Sequence, residues 1–183
     1  MRRLGFRSTV GRIPDQRFDD ASPAERDAAA RKVVTACALA SAGLTLQPLP
    51  GLEQGVVVVQ VGMVVALSHV HGEQLSRKRA KEVLMDLGAI TGVNILGRQA
   101  ATTLAKVVLP GIGGVLAAPS AFAITWATGH VAHHYFESGG KPDRNKLRAI
   151  FEAEKRRSKQ HYDAGDAERA RPERDDLDES ADG

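Results

Sequence analysis

Residues 106–137, KVVLPGIGGVLAAPSAFAITWATGHVAHHYFE, carry no Asp, Glu, Lys or Arg between their two end charges. That uncharged run of about thirty residues exceeds the roughly 20 that a helix needs to cross a bilayer core. It opens on Pro110-Gly111-Ile112-Gly113-Gly114, continues in Ala, Val, Ile and Thr, and closes in His, Tyr and Phe. Small residues let helix backbones approach closely, in a protein core or in lipid. The run therefore predicts a long helix that packs against other helices, and with it an all-α fold.

The ends of the chain differ sharply from its middle. A mean hydropathy of −0.23 averages an apolar centre with two hydrophilic ends. The formal charge of +3 is likewise segregated, with residues 2–32 and 141–162 basic and the C-terminus acidic. Four parts follow: a basic flexible arm (1–21), a helical domain (22–140), a charged amphipathic helix (141–162) and an acidic tail (163–183). The tail, DAGDAERARPERDDLDESADG, has too little apolar surface to offset its ordering entropy and is expected to be disordered. The arm lacks the apolar core of a signal peptide. No nucleic-acid-binding motif accompanies the basic residues, so nucleic acid is not expected as a partner. The single cysteine, Cys37, permits no internal disulfide and lies in an apolar helical run, where it reads as a small buried hydrophobe.

Local signals divide the domain into hairpins. Ser22-Pro23-Ala24-Glu25 combines a cap, a proline suited to the first helical turn and a capping box, predicting a helix over 23–44. Its second half carries Ala36, Ala40 and Gly43, which permit close approach. Two prolines, Pro48 and Pro50, break it. The Val-rich run 52–71 is too long for a strand and reads as the return helix. Ser76 caps a basic amphipathic helix whose Ala80, Val83, Leu84 and Leu87 share a face, with a bend near Gly92. A helix over 94–108, the turn at Pro110-Gly111 and a helix over 112–136 make the second hairpin, with Pro119 as a kink candidate. Ser138-Gly139-Gly140 stops it, and Asp143 caps a last helix with Leu147, Ile150 and Phe151 as its apolar stripe.

Several of these stretches occur in an order that resembles one family. Pro48-Leu49-Pro50, then Gly72-Glu73-Gln74-Leu75-Ser76 with Arg79-Ala80-Lys81-Glu82, then Leu109-Pro110-Gly111-Ile112-Gly113, and last Tyr135-Phe136-Glu137 are similar to the bacterial YcjF-like family, domain-of-unknown-function family 697. The resemblance spans roughly residues 32–140. It implies a helical, membrane-associated domain found alone or behind an Era-like small GTPase domain, and it supplies no catalytic residues. This chain has no GTPase domain of its own, so a GTPase partner would act in trans. Glu53 stands where GTPase-linked members have an acidic residue after the Pro-x-Pro turn.

Candidate chemistry centres on histidine. His130, His133, His134 and Glu137 share helical spacings, and His130 with His134 has the i, i+4 geometry of helical metal sites. HExxH is absent, and the neighbouring Tyr135 and Phe136 favour an interfacial or packing role, with His69 and His71 at the matching end of the first hairpin. No metal or other cofactor is expected. Gly111-Ile112-Gly113-Gly114 lacks the lysine and preceding strand of a P-loop. The hydroxyls of Ser41, Thr45, Thr102, Thr103, Ser120, Thr125 and Thr128 suit back-bonding in tight helix contacts, and no GxSxG elbow is present.

The expected function is therefore non-enzymatic. The leading reading is a membrane anchor or scaffold, with transmembrane hairpins in the cytoplasmic membrane and both termini cytoplasmic, because every basic cluster falls on one side. The competing reading is a soluble regulatory or oligomerisation domain in the cytoplasm, whose hairpins bury each other or pair with a second copy, and a third, ranked below both, is an enzyme with a histidine-metal site.

Overall fold

The computed structural model describes residues 13, 18, 20–46, 53–93, 113–141 and 143–172. Six α-helices pack on one another, and the described residues include no strand. They are α1 (Pro23–Thr45), α2 (Glu53–Val70), α3 (Arg77–Thr91), α4 (Gly113–Glu137), α5 (Arg144–Arg157) and α6 (Ala164–Arg169), with a 3-10 turn at Ser158–Gln160 after α5.

The helix boundaries follow the local chemistry. Ser22 Oγ accepts from the Glu25 N–H at 3.3 Å while the Glu25 carboxylate accepts from the Ser22 N–H at 2.8 Å, closing the capping box of α1. Ser76 and Asp143 cap α3 and α5 through the same kind of bond. Gly92 ends α3 at φ 76°, and Gly139 and Gly140 follow α4 at φ 66° and 72°, a backbone region that glycine enters without a Cβ penalty. At the end of α3 the Arg148 guanidinium donates to the Ile90 carbonyl, Nη2 to O at 3.2 Å, so a side chain of α5 satisfies a helix-terminal acceptor of α3.

α4 is the central element and packs on α1, α2, α3 and α5. Its partner α1 runs antiparallel to it, with Asp27 beside His133 and Val34 against Gly129. Gly129 allows this contact: a Cβ there would lie 2.7 Å from Val34 Cγ2 and 2.9 Å from Met63 Sδ. The buried faces of α1, α2 and α4 are built from Val33, Val34, Cys37, Ala38, Leu44, Met63, Leu67, Phe122 and Ala127. Gln60 of α2, also buried, donates through Nε2 to Thr125 Oγ1 of α4 at 3.0 Å. Cys37 is fully buried, and burial pushes its thiol pKa well up, as befits a packing residue.

These contacts overturn the transmembrane reading. No helix among the described residues is long and apolar enough to cross a membrane. The expected placement in the cytoplasmic membrane, with spanning hairpins and cytoplasmic termini, is therefore corrected. The physical reason is visible helix by helix: α1 is charged over its first turns, α2 carries Gln60 and ends near His69, and α4 includes Pro119 and three histidines. Their apolar faces are used on each other. Among the described residues Met85 is the exposed large hydrophobe, at 39 %. The expected helix over 94–108 and the hairpin tips at Pro48 and Pro110 lie outside the described residues.

Both termini enter the packing further than their composition suggested. Ile13 and Phe18, placed in a flexible arm, are buried at 4 % and 8 % exposure. Residues 164–169, placed in a disordered tail, form α6, capped by Asp163. Ala167 and Ala170 are small enough to bury there, and α6 lies so close to α1 that a Cβ on Gly43 would fall 2.3 Å from the Ala167 carbonyl oxygen.

Candidate functional site

The histidines predicted as a group separate onto different partners. His133 points from α4 between two helices: its Nδ1 lies 2.9 Å from His71 Nε2 at the end of α2, and its Nε2 lies 3.4 Å from Asp27 Oδ1 on α1. A carboxylate only accepts, so the proton of neutral His133 belongs on Nε2. That leaves Nδ1 as the acceptor for the His71 Nε2–H. The chain of bonds thus runs in one direction, from His71 through His133 to Asp27, and joins α2, α4 and α1. Asp27 is also paired with Arg31. Phe136 stacks on His71, ring centroids 6.2 Å apart.

His130, one turn earlier, faces α5. Its Nε2 is 3.8 Å from Glu154 Oε2, too long for a hydrogen bond, and that buried nitrogen has no hydrogen-bond partner among the described residues. Glu154 is instead held by the Trp126 indole, Nε1 to Oε2 at 3.1 Å, and by Arg157, Nη1 to Oε1 at 2.9 Å. Trp126 also stacks on His161 at 4.6 Å between centroids. His134 turns outward to Glu137, at 3.2 Å. His69 donates from Nδ1 to the Val65 carbonyl one turn back, at 2.9 Å.

Burial sets the proton affinities of this seam. It pushes the His71 pKa down to about 4, with nearby His133 and Arg26 adding to the effect. It lowers His133 against the opposing pull of Glu137 and Asp27, and lowers His130 against that of Glu154. Burial thus favours the neutral form of all three imidazoles, and His71 and His133 are bonded to each other across two helices.

The three histidines of α4 turn to different partners. His130, His133 and His134 reach toward Glu154, Asp27 with His71, and Glu137 respectively. Among the described residues no group of three or more His, Cys, Asp or Glu could hold an ion. Sequence spacing had placed the His130–His134 pair on one helix face. It could not show that His71 and Glu154, from other helices, would take up the neighbouring imidazoles. Of the predicted hydroxyls, Thr45 Oγ1 donates to the Ala42 carbonyl at 2.8 Å and Thr125 accepts from Gln60, while buried Ser41 Oγ has no partner among the described residues, and Thr102 and Thr103 lie outside them.

A concavity also borders α4 where it faces the end of α5. A groove of about 440 Å³ separates α4 from the end of α5 and its 3-10 turn. Pro119, Ala123 and Ile124 line α4's side, Lys155 and Lys159 the opposite side, and Tyr162 also borders it. Lys155 is only loosely paired, with Glu152 at 3.9 Å. Arg156 and Arg157 precede the turn, so the end of α5 concentrates positive charge where its helix dipole is negative. Sequence reading saw the basic helix but not this groove, because its two walls are about thirty residues apart in the chain.

The fold and these two features define an all-α bundle with a histidine seam and a lysine-edged groove, a class that specifies no reaction. No family model, curated protein or solved structure matches the chain.

Proposed function

We propose that the chain is a non-enzymatic helical regulatory domain that works by binding an acidic protein segment. The observation that carries this is the groove between α4 and α5, with apolar side chains from Pro119, Ala123 and Ile124 and cations at Lys155 and Lys159. Such a surface suits a peptide that offers one apolar side chain between carboxylates. The histidine seam supports the same reading, since its imidazoles are engaged in holding helices together. A small GTPase in trans rests on the sequence resemblance alone and enters the proposal no further.

The test is a titration of isotope-labelled protein with an acidic probe peptide, one phenylalanine among aspartates, at concentrations up to the millimolar range. Amide shifts should concentrate at Ser120, Ala123, Ile124, Lys155 and Lys159, and the asparagine analogue of the peptide should leave them in place. Shifts confined to other surfaces, or equal for both peptides, would remove the reading.

A further inference from the structure

The groove has a candidate occupant in the chain itself. α1 and α4 are antiparallel, with Asp27 beside His133 and Val34 against Gly129. Continuing that register brings Gly43 to the end of the bundle that carries Pro119 and Ser120. Gly43 is where α6 docks, and a Cβ on it would meet Arg171 Cα at 3.0 Å. The described chain thus leaves the bundle, at residue 172, on the same end as the α4 side of the groove.

The segment that follows complements that groove in charge and shape. Residues 173–183, ERDDLDESADG, hold six carboxylates against one arginine. Leu177, the one large apolar side chain, stands between Asp176 and Asp178. It is five residues beyond Pro172, a reach of up to about 17 Å for extended chain. An anchored segment also competes at an effective concentration in the mM range, so even a weak contact would be occupied.

We propose that residues 173–183 dock in the α4–α5 groove of their own chain, Leu177 against Ala123 and Ile124 and the flanking carboxylates toward Lys155 and Lys159, as a built-in competitor of outside acidic partners. This rests on the binding reading above and adds its regulation. The segment restrains access until a partner displaces it.

The test uses the full chain and a fluorescent peptide of residues 173–183 as probe, read by anisotropy at low ionic strength. In one variant the segment is neutralised by Asp175→Asn, Asp176→Asn, Asp178→Asn and Glu179→Gln. This variant should bind the probe about ten-fold or more tightly than the unaltered chain, because its tethered competitor is weakened. Adding Lys155→Glu and Lys159→Glu should abolish that binding, with circular dichroism and thermal melting confirming the fold. Equal affinity for the unaltered and neutralised chains would overturn the self-docking proposal while leaving acidic-peptide binding intact. Tight binding that survives the lysine reversals would place the contact elsewhere and overturn it too. Competition that vanishes on dilution would show that the segment reaches a second copy, against docking in its own chain. No probe binding by either chain up to millimolar concentration would remove both the inference and the function beneath it.

Discussion

α4 is held on two sides by opposite means. Against α1 and α2 it packs through an absence, the missing side chain of Gly129 into which Val34 and Met63 fit. Toward α5 and the segment beyond it packs through large rings, with Phe122, Trp126, His161 and Tyr162 in mutual contact and Glu154 accepting from Trp126. The first contact leaves little room for a new atom. The second lies beside the groove that Pro119, Ala123 and Ile124 share with Lys155 and Lys159. A helix rich in small residues thus achieves close approach at Gly129 while a groove borders it at Pro119, Ala123 and Ile124.

The largest expected effect breaks the tight side. Gly129→Ala places its Cβ 2.7 Å from a β-branched valine that has little rotamer freedom, and even alanine's preference of about 1 kcal/mol over glycine within a helix should not offset the clash. Gly129→Leu should abolish cooperative unfolding. Ala123→Leu, the same enlargement toward the open groove, should change the melting temperature little. Equal effects at the two positions would erase the distinction between the two sides.

The next effect tests the ring side. Trp126→Ala removes an indole that is 7 % exposed and should cost about 3–5 kcal/mol in chemical denaturation, the usual range for a large aromatic. Glu154→Gln keeps the shape and an acceptor oxygen for the indole but loses the charge that attracts Arg157, and should cost about 1 kcal/mol. A Glu154→Gln loss as large as that of Trp126→Ala would mean that the carboxylate, and not the ring, holds α5 in place.

Much of this fold was legible because helix ends are local events. Ser22, Ser76, Asp143, Gly92 and Gly139 each announce a boundary within a turn of themselves, and the structure has a boundary at each. The stripe of Ala80, Val83, Leu84 and Leu87 is buried as its spacing demands. What a helix packs against is not local. The same small residues serve lipid contact and helix contact, so the bilayer reading rested on segment composition, and it gives way because no helix among the described residues is long and apolar enough to cross a membrane. α6 was missed for a related reason: Ala167 and Ala170 offer little hydrophobicity, yet α1 presents Gly43, where they can dock. Of the histidine seam, the helical spacing of His130 and His133 was visible in the sequence, while their approach to Glu154 and His71 depended on the register between helices.

The last effect concerns protons and separates the His71–His133 pair from the Trp126 contacts. A base with a folded-state pKa below its unfolded value binds protons more readily when unfolded, so acid favours unfolding. For His71 the shift is from the ordinary 6.5 to about 4, caused first by burial. Its neutral form therefore supports the fold fully above pH 6.5, and that support drains away as the pH falls toward 4. His133 shifts in the same direction, and the groups around the pair are Arg26, Asp27 and Arg31 on α1 with His130, His134 and Glu137 on α4. Protonating both rings would set Nε2–H of His71 against Nδ1–H of His133 across 2.9 Å, two donors with no acceptor between them. Melting temperatures measured from pH 7.5 to 4.5 should fall for the unaltered chain, and less steeply for His71→Gln, whose amide can still donate to His133 without gaining a charge. Glu154→Gln should keep the steep slope, since Glu154 contacts Trp126, His130 and Arg157 and neither ring of the His71–His133 pair. Parallel slopes for the unaltered chain and His71→Gln would show that the seam carries none of the acid sensitivity, and that both sides of α4 respond to protons alike.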